Sequence, residues 1–196
     1  MKTSGFVLAI VSFFMIAISC NANNNLAAEN AATGVKSIYD FTVKDIDGKD
    51  VSFSQYKGKI IVIVNTASQC GLVGQLEEIE AFSKKYKDKG VVVLGFPANN
   101  FLGQEPLKNA DIKTFCTKNY GVTFQLFEKS SVKGKDISPL YNFLTNKTEN
   151  GVIDAPVKWN YQKFIVDKNG KVVTSIAPRT TVNDQEFLQS IDDLLK

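Results

Sequence analysis

Cys70 follows shortly after an apolar run in the sequence. The run covers residues 60–64, a short polar stretch leads from it to the cysteine, and Gly71 follows. The run is long enough for a strand buried on both faces, and apolar residues spaced by three and four predict a helix after it. Cys70 therefore lies at a predicted strand-to-helix turn, where free N–H groups and the helix dipole favour the reactive thiolate. A buried structural cysteine is the alternative.

The composition limits the chemistry that can surround this thiol. The chain of 196 residues contains no histidine, which excludes pairs of serine or cysteine with histidine and removes the commonest zinc and copper ligand. The formal charge of +3 is small, and the basic residues are scattered, so nucleic acid is not an expected partner. We expect cysteine chemistry assisted by carboxylates, amides, lysine or aromatic donors, with no cofactor and no metal.

The amino terminus has the pattern of a targeting segment. Lys2 precedes an apolar stretch at 6–18 that is too short to span a membrane comfortably. Residues 17–20 (AISC) resemble a bacterial lipobox, in which the cysteine, here Cys20, is lipidated. We expect a signal peptide at 1–19, a lipidated polar tether at 20–36, and an exported lipoprotein anchored on the periplasmic or cell-surface side. An ordinary secretory signal, with no role for Cys20, is the alternative.

Two of the three cysteines remain for the folded domain, Cys70 and Cys116. Their separation rules out a Cys-x-x-Cys motif and the zinc or thioredoxin-type sites that use one. In an oxidising compartment they can form a disulfide if their Cα atoms come within about 7 Å. A permanent structural disulfide is possible, but the setting of Cys70 favours a transient one.

The elements that must position these residues form one α/β domain at 37–196. Asp47 and Gly48 mark the turn of a hairpin, and the strand–helix–strand order over 60–96 predicts a βαβ unit with a right-handed crossover. The predicted strands are 39–43, 51–53, 60–66, 91–96, 164–166 and 171–173, and the predicted helices are 76–87, 108–119, 138–146 and 187–195. We expect a mixed central sheet flanked by helices, with an N-terminal β-hairpin, consistent with a thioredoxin-like fold.

Three separated segments closely resemble the signature segments of glutathione peroxidases. They are residues 65–71 (NTASQCG), 95–106 (GFPANNFLGQEP) and 158–164 (KWNYQKF), and the resemblance extends from about Ile38 to the carboxyl terminus. It implies a thioredoxin fold and a thiol peroxidase acting on hydrogen peroxide and on organic or lipid hydroperoxides, with Cys70 as the peroxidatic residue. Gln104, Trp159 and Asn160 fall on the remaining active-site positions, where N–H groups would hold the thiolate and meet the leaving oxygen.

The resemblance also implies a role for Cys116. It falls in the region where thioredoxin-dependent members carry a resolving cysteine, which implies reduction by a thioredoxin-like protein rather than mainly by glutathione. A buried Cys116 without a redox role is the alternative. Ala98 stands where many members have a further cysteine, and the segment 71–76 (GLVGQL) lacks the threonine and tyrosine that are common there in the family. The short segment between Thr148 and Trp159 implies a monomer with an open site that would admit lipid hydroperoxides.

Two other functions fit a chain of this fold. An exported disulfide reductase normally needs a second cysteine three residues after the first, where this chain has Val73. A non-enzymatic copper carrier needs paired cysteines and a histidine, and the chain has no histidine.

Overall fold

The computed structural model describes Met1 and residues 36–196. The predicted signal peptide, Cys20 and the tether up to residue 35 lie outside the described residues. Among the residues that are described, no helix combines the length and the apolar character needed to cross a membrane.

A mixed five-stranded sheet forms the centre of the fold, preceded by a small hairpin. The hairpin pairs β1 (Thr42–Lys44) with β2 (Asp50–Ser52). The strands of the sheet are β3 (Ile60–Thr66), β4 (Val91–Pro97), β5 (Gln125–Leu126), β6 (Lys163–Val166) and β7 (Val172–Ile176), in the spatial order β5-β4-β3-β6-β7. The central strand β3 runs parallel to β4 and antiparallel to β6. It is buried along its whole length, as its continuous apolar sequence predicts.

Helices cover both faces of this sheet. They are α1 (Gln75–Tyr86), α2 (Asn109–Tyr120), α3 (Pro139–Thr145), α4 (Lys147–Asn150) and α5 (Gln185–Leu195). Successive side chains of β3 point to opposite faces. Val62 and Val64 pack in one core with α1, α2 and α5, whereas Ile61 and Ile63 pack in a second core with α3. The expected architecture of a mixed sheet flanked by helices is therefore confirmed.

The predicted elements are found with small shifts of their ends, and the differences have local causes. Tyr39 and Phe53 were predicted in strands but lie in 3-10 turns, Ile38–Asp40 and Phe53–Tyr56. The hydroxyl oxygens of Ser37 and Ser52 accept hydrogen bonds from backbone N–H groups at the start of these turns and so end the extended chain. The two-residue strand β5 and the short helix α4 were not predicted, because neither is long enough to show a periodic pattern.

Candidate active site

Cys70 lies on the turn that connects β3 to α1, as predicted. Its backbone carbonyl accepts a hydrogen bond from the N–H of Val73 at 2.9 Å, and its Sγ lies 3.5 Å from the N–H of Leu72. The side chain is buried, with 3% of its surface exposed, yet it lines a pocket. The N–H of Leu72 is thus directed towards the sulfur, and it stabilises negative charge there.

A second segment, the loop from β4 to α2, is tied directly to the cysteine turn. The N–H of Gln69 donates to the carbonyl of Gln104 at 2.9 Å. The buried carboxylate of Glu105 accepts from both the N–H and the hydroxyl of Ser68, at 2.9 and 2.8 Å. Burial raises the pKa of Glu105, although the hydrogen bonds from Ser68 oppose the shift. These contacts fix the position of Gln104 relative to Cys70.

Asn160 orients the side chain of Gln104. Its Nδ2 donates to Oε1 of Gln104 at 2.9 Å, and Asn160 itself is completely buried. Because the amide oxygen of Gln104 is engaged in this bond, its Nε2 group is the end left to donate elsewhere. We expected both amides to face the reacting oxygen. In the structure Gln104 lines the pocket with Cys70, and Asn160 lies behind Gln104.

Trp159 forms another wall of the pocket. Its ring packs against Phe101 with 5.2 Å between ring centroids, and its carbonyl accepts from Nδ2 of Asn65 at 3.2 Å. Among the described residues, its indole N–H has no hydrogen-bond partner. The structure thus brings Cys70, Gln104 and Trp159 to one pocket.

The backbone at Tyr161 explains how Trp159 and Asn160 reach this position. Tyr161 has a φ of +68°, which is costly for a residue other than glycine. It is held there by two hydrogen bonds, from its N–H to the carbonyl of Asn65 at 2.6 Å and from its hydroxyl to the carbonyl of Ala67 at 2.9 Å. The reversal at Tyr161 lets the chain enter β6 directly after presenting Trp159.

The pocket has a volume of about 510 Å³ and an unexpected wall. Besides Cys70, Gln104 and Trp159, it is lined by Gly71, Leu72, Ala177, Pro178 and Arg179. The last three follow β7 and lie more than a hundred positions after Cys70 in sequence. Sequence reasoning missed this loop, and it also missed the roles of Ser68 and Glu105, because none of these residues belongs to a periodic pattern.

Cys116 lies inside α2, as predicted, and its thiol is buried in the same core as Cys70. Both cysteines are free thiols. Burial, together with the nearby charge of Glu105, raises the pKa of Cys116 to about 12, so this residue is a neutral thiol at physiological pH. Burial raises the pKa of the Tyr161 hydroxyl well above its usual value, and negative charge on Cys116 or Cys70 would act in the same direction.

The fold agrees with what comparisons with known proteins find. The family model described as glutathione peroxidase matches residues 38–145. The glutathione peroxidase of Lactococcus lactis subsp. cremoris is 44% identical over 150 residues, which cover 76% of this chain and 95% of the relative. The glutathione peroxidase-like peroxiredoxin 2 of Saccharomyces cerevisiae is 45% identical over 153 residues, covering 77% and 94% of the two chains.

A solved structure shows the same fold. The crystal structure of Trgpx in its apo form superimposes with a TM-score of 0.64 at 34% sequence identity. The match covers 82% of this chain and 95% of that chain.

Proposed function

Because the chain belongs to the glutathione peroxidase family and is a thiol peroxidase with a thioredoxin-like fold, we propose that Cys70 is the residue that reduces the peroxide. The observation that carries this proposal is that Cys70 and Gln104 line the same pocket. The side-chain oxygen of Gln104 already accepts a hydrogen bond from Asn160, so its N–H end is the one that would face a substrate beside the thiol. Family membership favours this activity over disulfide reduction and copper transport.

The reaction needs a thiolate at one oxygen of the peroxide bond and a hydrogen-bond donor at the other oxygen. The thiolate of Cys70 attacks one oxygen of ROOH, an S–O bond forms, and the O–O bond breaks. Sulfur is oxidised to a sulfenic acid, and the departing RO⁻ takes a proton to leave as the alcohol, or as water from hydrogen peroxide. N–H donors from Gln104 and Trp159 stabilise the negative charge that develops on the departing oxygen. Asn160 and Glu105 act as positioning residues for Gln104.

Resolution of the sulfenic acid completes the proposed cycle. The thiol of Cys116 condenses with oxidised Cys70, which forms a disulfide and releases water. A dithiol protein of the thioredoxin type then supplies the two electrons and two protons that restore both thiols, and glutathione is the alternative reductant. We propose that the enzyme acts as a monomer whose open pocket admits hydrogen peroxide and organic or lipid hydroperoxides.

The donors are tested by their effect on the oxidation of Cys70. We expect Gln104→Ala or Trp159→Phe to slow this step by about 10²-fold, since loss of one preorganised donor has an effect of that order. Stopped-flow measurement of the second-order rate constant with hydrogen peroxide gives the value. Gln189→Ala removes an exposed amide on α5 and serves as the matched control. Rates within twofold of the wild type would show that Gln104 and Trp159 only pack.

The amino terminus is proposed to place the enzyme at a membrane. The proposal is supported by the lipobox-like sequence that ends in Cys20 and by the polar tract that follows it. Export would yield a mature protein that begins at a lipidated Cys20, with its acyl chains in the bilayer and the catalytic domain at 37–196 held near lipid hydroperoxides.

Replacement of Cys20 tests this anchor. We expect Cys20→Ala to move the protein from the membrane fraction to the soluble fraction, because the acyl chains are lost. Fractionation and incorporation of labelled palmitate in a bacterial host measure the effect. Cys70→Ser, which removes a different thiol, is the matched control and stays with the membrane. A wild-type protein that takes up no palmitate would contradict the anchor.

A further inference from the structure

Lys163 is a buried cation that takes no part in the proposed reaction. It is the first residue of β6, and none of its surface is exposed. Its side chain shares a face of the sheet with that of Val64, its neighbour on β3, and this face packs against α1. Apolar residues of similar volume fill such places at a lower cost in free energy than a charge does. The presence of a lysine at this buried position therefore calls for a specific explanation.

The ammonium of Lys163 uses all three of its donors on neutral oxygens. Nζ lies 2.5 Å from Oε1 of Gln75, 2.5 Å from the carbonyl of Thr180 and 3.3 Å from the carbonyl of Pro178. Burial lowers the pKa of Lys163 to about 8, although the charges of Glu78 and Asp184 raise it. Lys163 is therefore mainly protonated at neutral pH, and its donors are fully matched by acceptors.

Gln75 connects the same loop to α1. It is the first residue of that helix and is 6% exposed, and its Nε2 donates to the carbonyl of Pro178 at 2.9 Å. Pro178 therefore receives hydrogen bonds from both side chains. We call Lys163 and Gln75, with the carbonyls of Pro178 and Thr180, the loop anchor.

The loop that this anchor holds is the wall of the Cys70 pocket that sequence reasoning missed. Ala177 and Pro178 give this wall apolar surface next to Leu72 and Trp159, and Arg179 of the same loop also lines the pocket. The anchor joins this wall to the helix that begins five residues after Cys70, and so it fixes the width of the pocket on one side. The reacting groups are held by other contacts, those of Gln104 with Asn160 and Gln69.

We propose that Lys163, acting through the loop anchor, is a positioning residue that sets the preference of the enzyme for hydroperoxides with a bulky apolar group. The inference rests on the proposed role of Cys70. An organic hydroperoxide gains contact with Ala177 and Pro178, whereas hydrogen peroxide has no group that could use them. Loosening the wall therefore weakens the reaction with one class of substrate and leaves the other unchanged.

Two variants test the anchor from its two sides. Lys163→Met keeps most of the length of the side chain and removes the donors, and Gln75→Met removes the amide on α1. The second-order rate constants for oxidation of Cys70 are measured with cumene hydroperoxide and with hydrogen peroxide. We expect the constant for cumene hydroperoxide to fall about tenfold in both variants, the size of effect that apolar pocket contacts have. The constant for hydrogen peroxide should stay within twofold.

The ratio of the two constants separates positioning from general damage. Lys171→Met, at an exposed lysine before β7, is the matched control and should change neither constant. Equal decreases of the rate constants for both peroxides, or no change in either constant, would overturn the inference. If Lys163→Met does not fold, the result for Gln75→Met decides alone. The proposed function is tested separately, by mass spectrometry of the wild-type enzyme after treatment with hydrogen peroxide. If Cys70 is not oxidised there, both the proposed role of Cys70 and the role of Lys163 are wrong.

Discussion

Cys70→Ser should reduce peroxide turnover to the background rate. A serine hydroxyl is scarcely ionised at neutral pH, and the chain contains no histidine that could remove its proton. The neighbouring N–H group of Leu72 can stabilise an anion but cannot generate one from an alcohol. The measurement is consumption of hydrogen peroxide with a thiol reductant, together with mass spectrometry of the protein after one equivalent of peroxide.

The same substitution should leave the fold intact. Serine is slightly smaller than cysteine, and the turn is held by backbone hydrogen bonds, such as the one between Val73 and the carbonyl of Cys70. A circular dichroism spectrum and a melting temperature close to those of the wild type would separate loss of chemistry from loss of structure. Cys116→Ser is the matched control, because it removes the other thiol of the domain and should still react once with peroxide. Substantial turnover by Cys70→Ser would show that another residue reduces the peroxide.

The sequence predicted those parts of the site that depend on local pattern. The strand β3 was predicted with its observed ends because it begins with a continuous run of β-branched apolar residues, and α1 because its apolar residues recur at helical spacing. The position of Cys70 between them followed directly. Gln104, Trp159 and Asn160 came from the family resemblance, since nothing in their local sequence distinguishes them from loop or core residues.

The remaining parts of the site depend on contacts between distant segments. The bond from Asn160 to Gln104 joins residues 56 positions apart, and that from Ser68 to Glu105 joins residues 37 apart. Lys163 begins a strand, where a charged residue would be taken for a solvent-exposed one. Lys163 can be buried because Gln75 and the loop after β7 supply hydrogen-bond acceptors for its ammonium group. These acceptors are distant in sequence, so no local signal could have indicated the burial.

The position of Cys116 sets a structural demand on the proposed cycle. Its thiol is 3% exposed and neutral at physiological pH, whereas attack on a sulfenic acid requires an accessible, ionised sulfur. The helix that carries it has two buried residues, Ile112 and Cys116, and Phe115 and Tyr120 pack partly buried against the same core. Thr114 and Thr117 are poor helix formers beside the cysteine. Local unfolding of residues 113–120 therefore costs little free energy compared with unfolding of the sheet.

The partners of α2 indicate how far this opening would extend. At its first turns the exposed ion pair between Lys113 and Asp47 contributes little, since exposed pairs are weak. Beyond the helix, the buried carboxylate of Glu80 accepts from the N–H and the hydroxyl of Thr123, at 2.7 and 2.6 Å. This contact ties the chain to α1 just after α2 ends. We therefore expect the opening to stop before Thr123 and to leave β5 in the sheet.

Cys116→Ser should separate the first oxidation from the complete cycle. The variant should react once with peroxide at the wild-type rate, accumulate sulfenic acid at Cys70 that a dimedone-type reagent traps, and lose steady turnover with thioredoxin. In the wild type, oxidation should form a disulfide between Cys70 and Cys116, and hydrogen exchange should increase at residues 113–120 but not in β5. A sulfenic acid that persists at Cys70 while Cys116 remains a free thiol in the oxidised wild-type domain, or normal turnover of Cys116→Ser with thioredoxin, would contradict the two-cysteine cycle and leave glutathione as the direct reductant of Cys70.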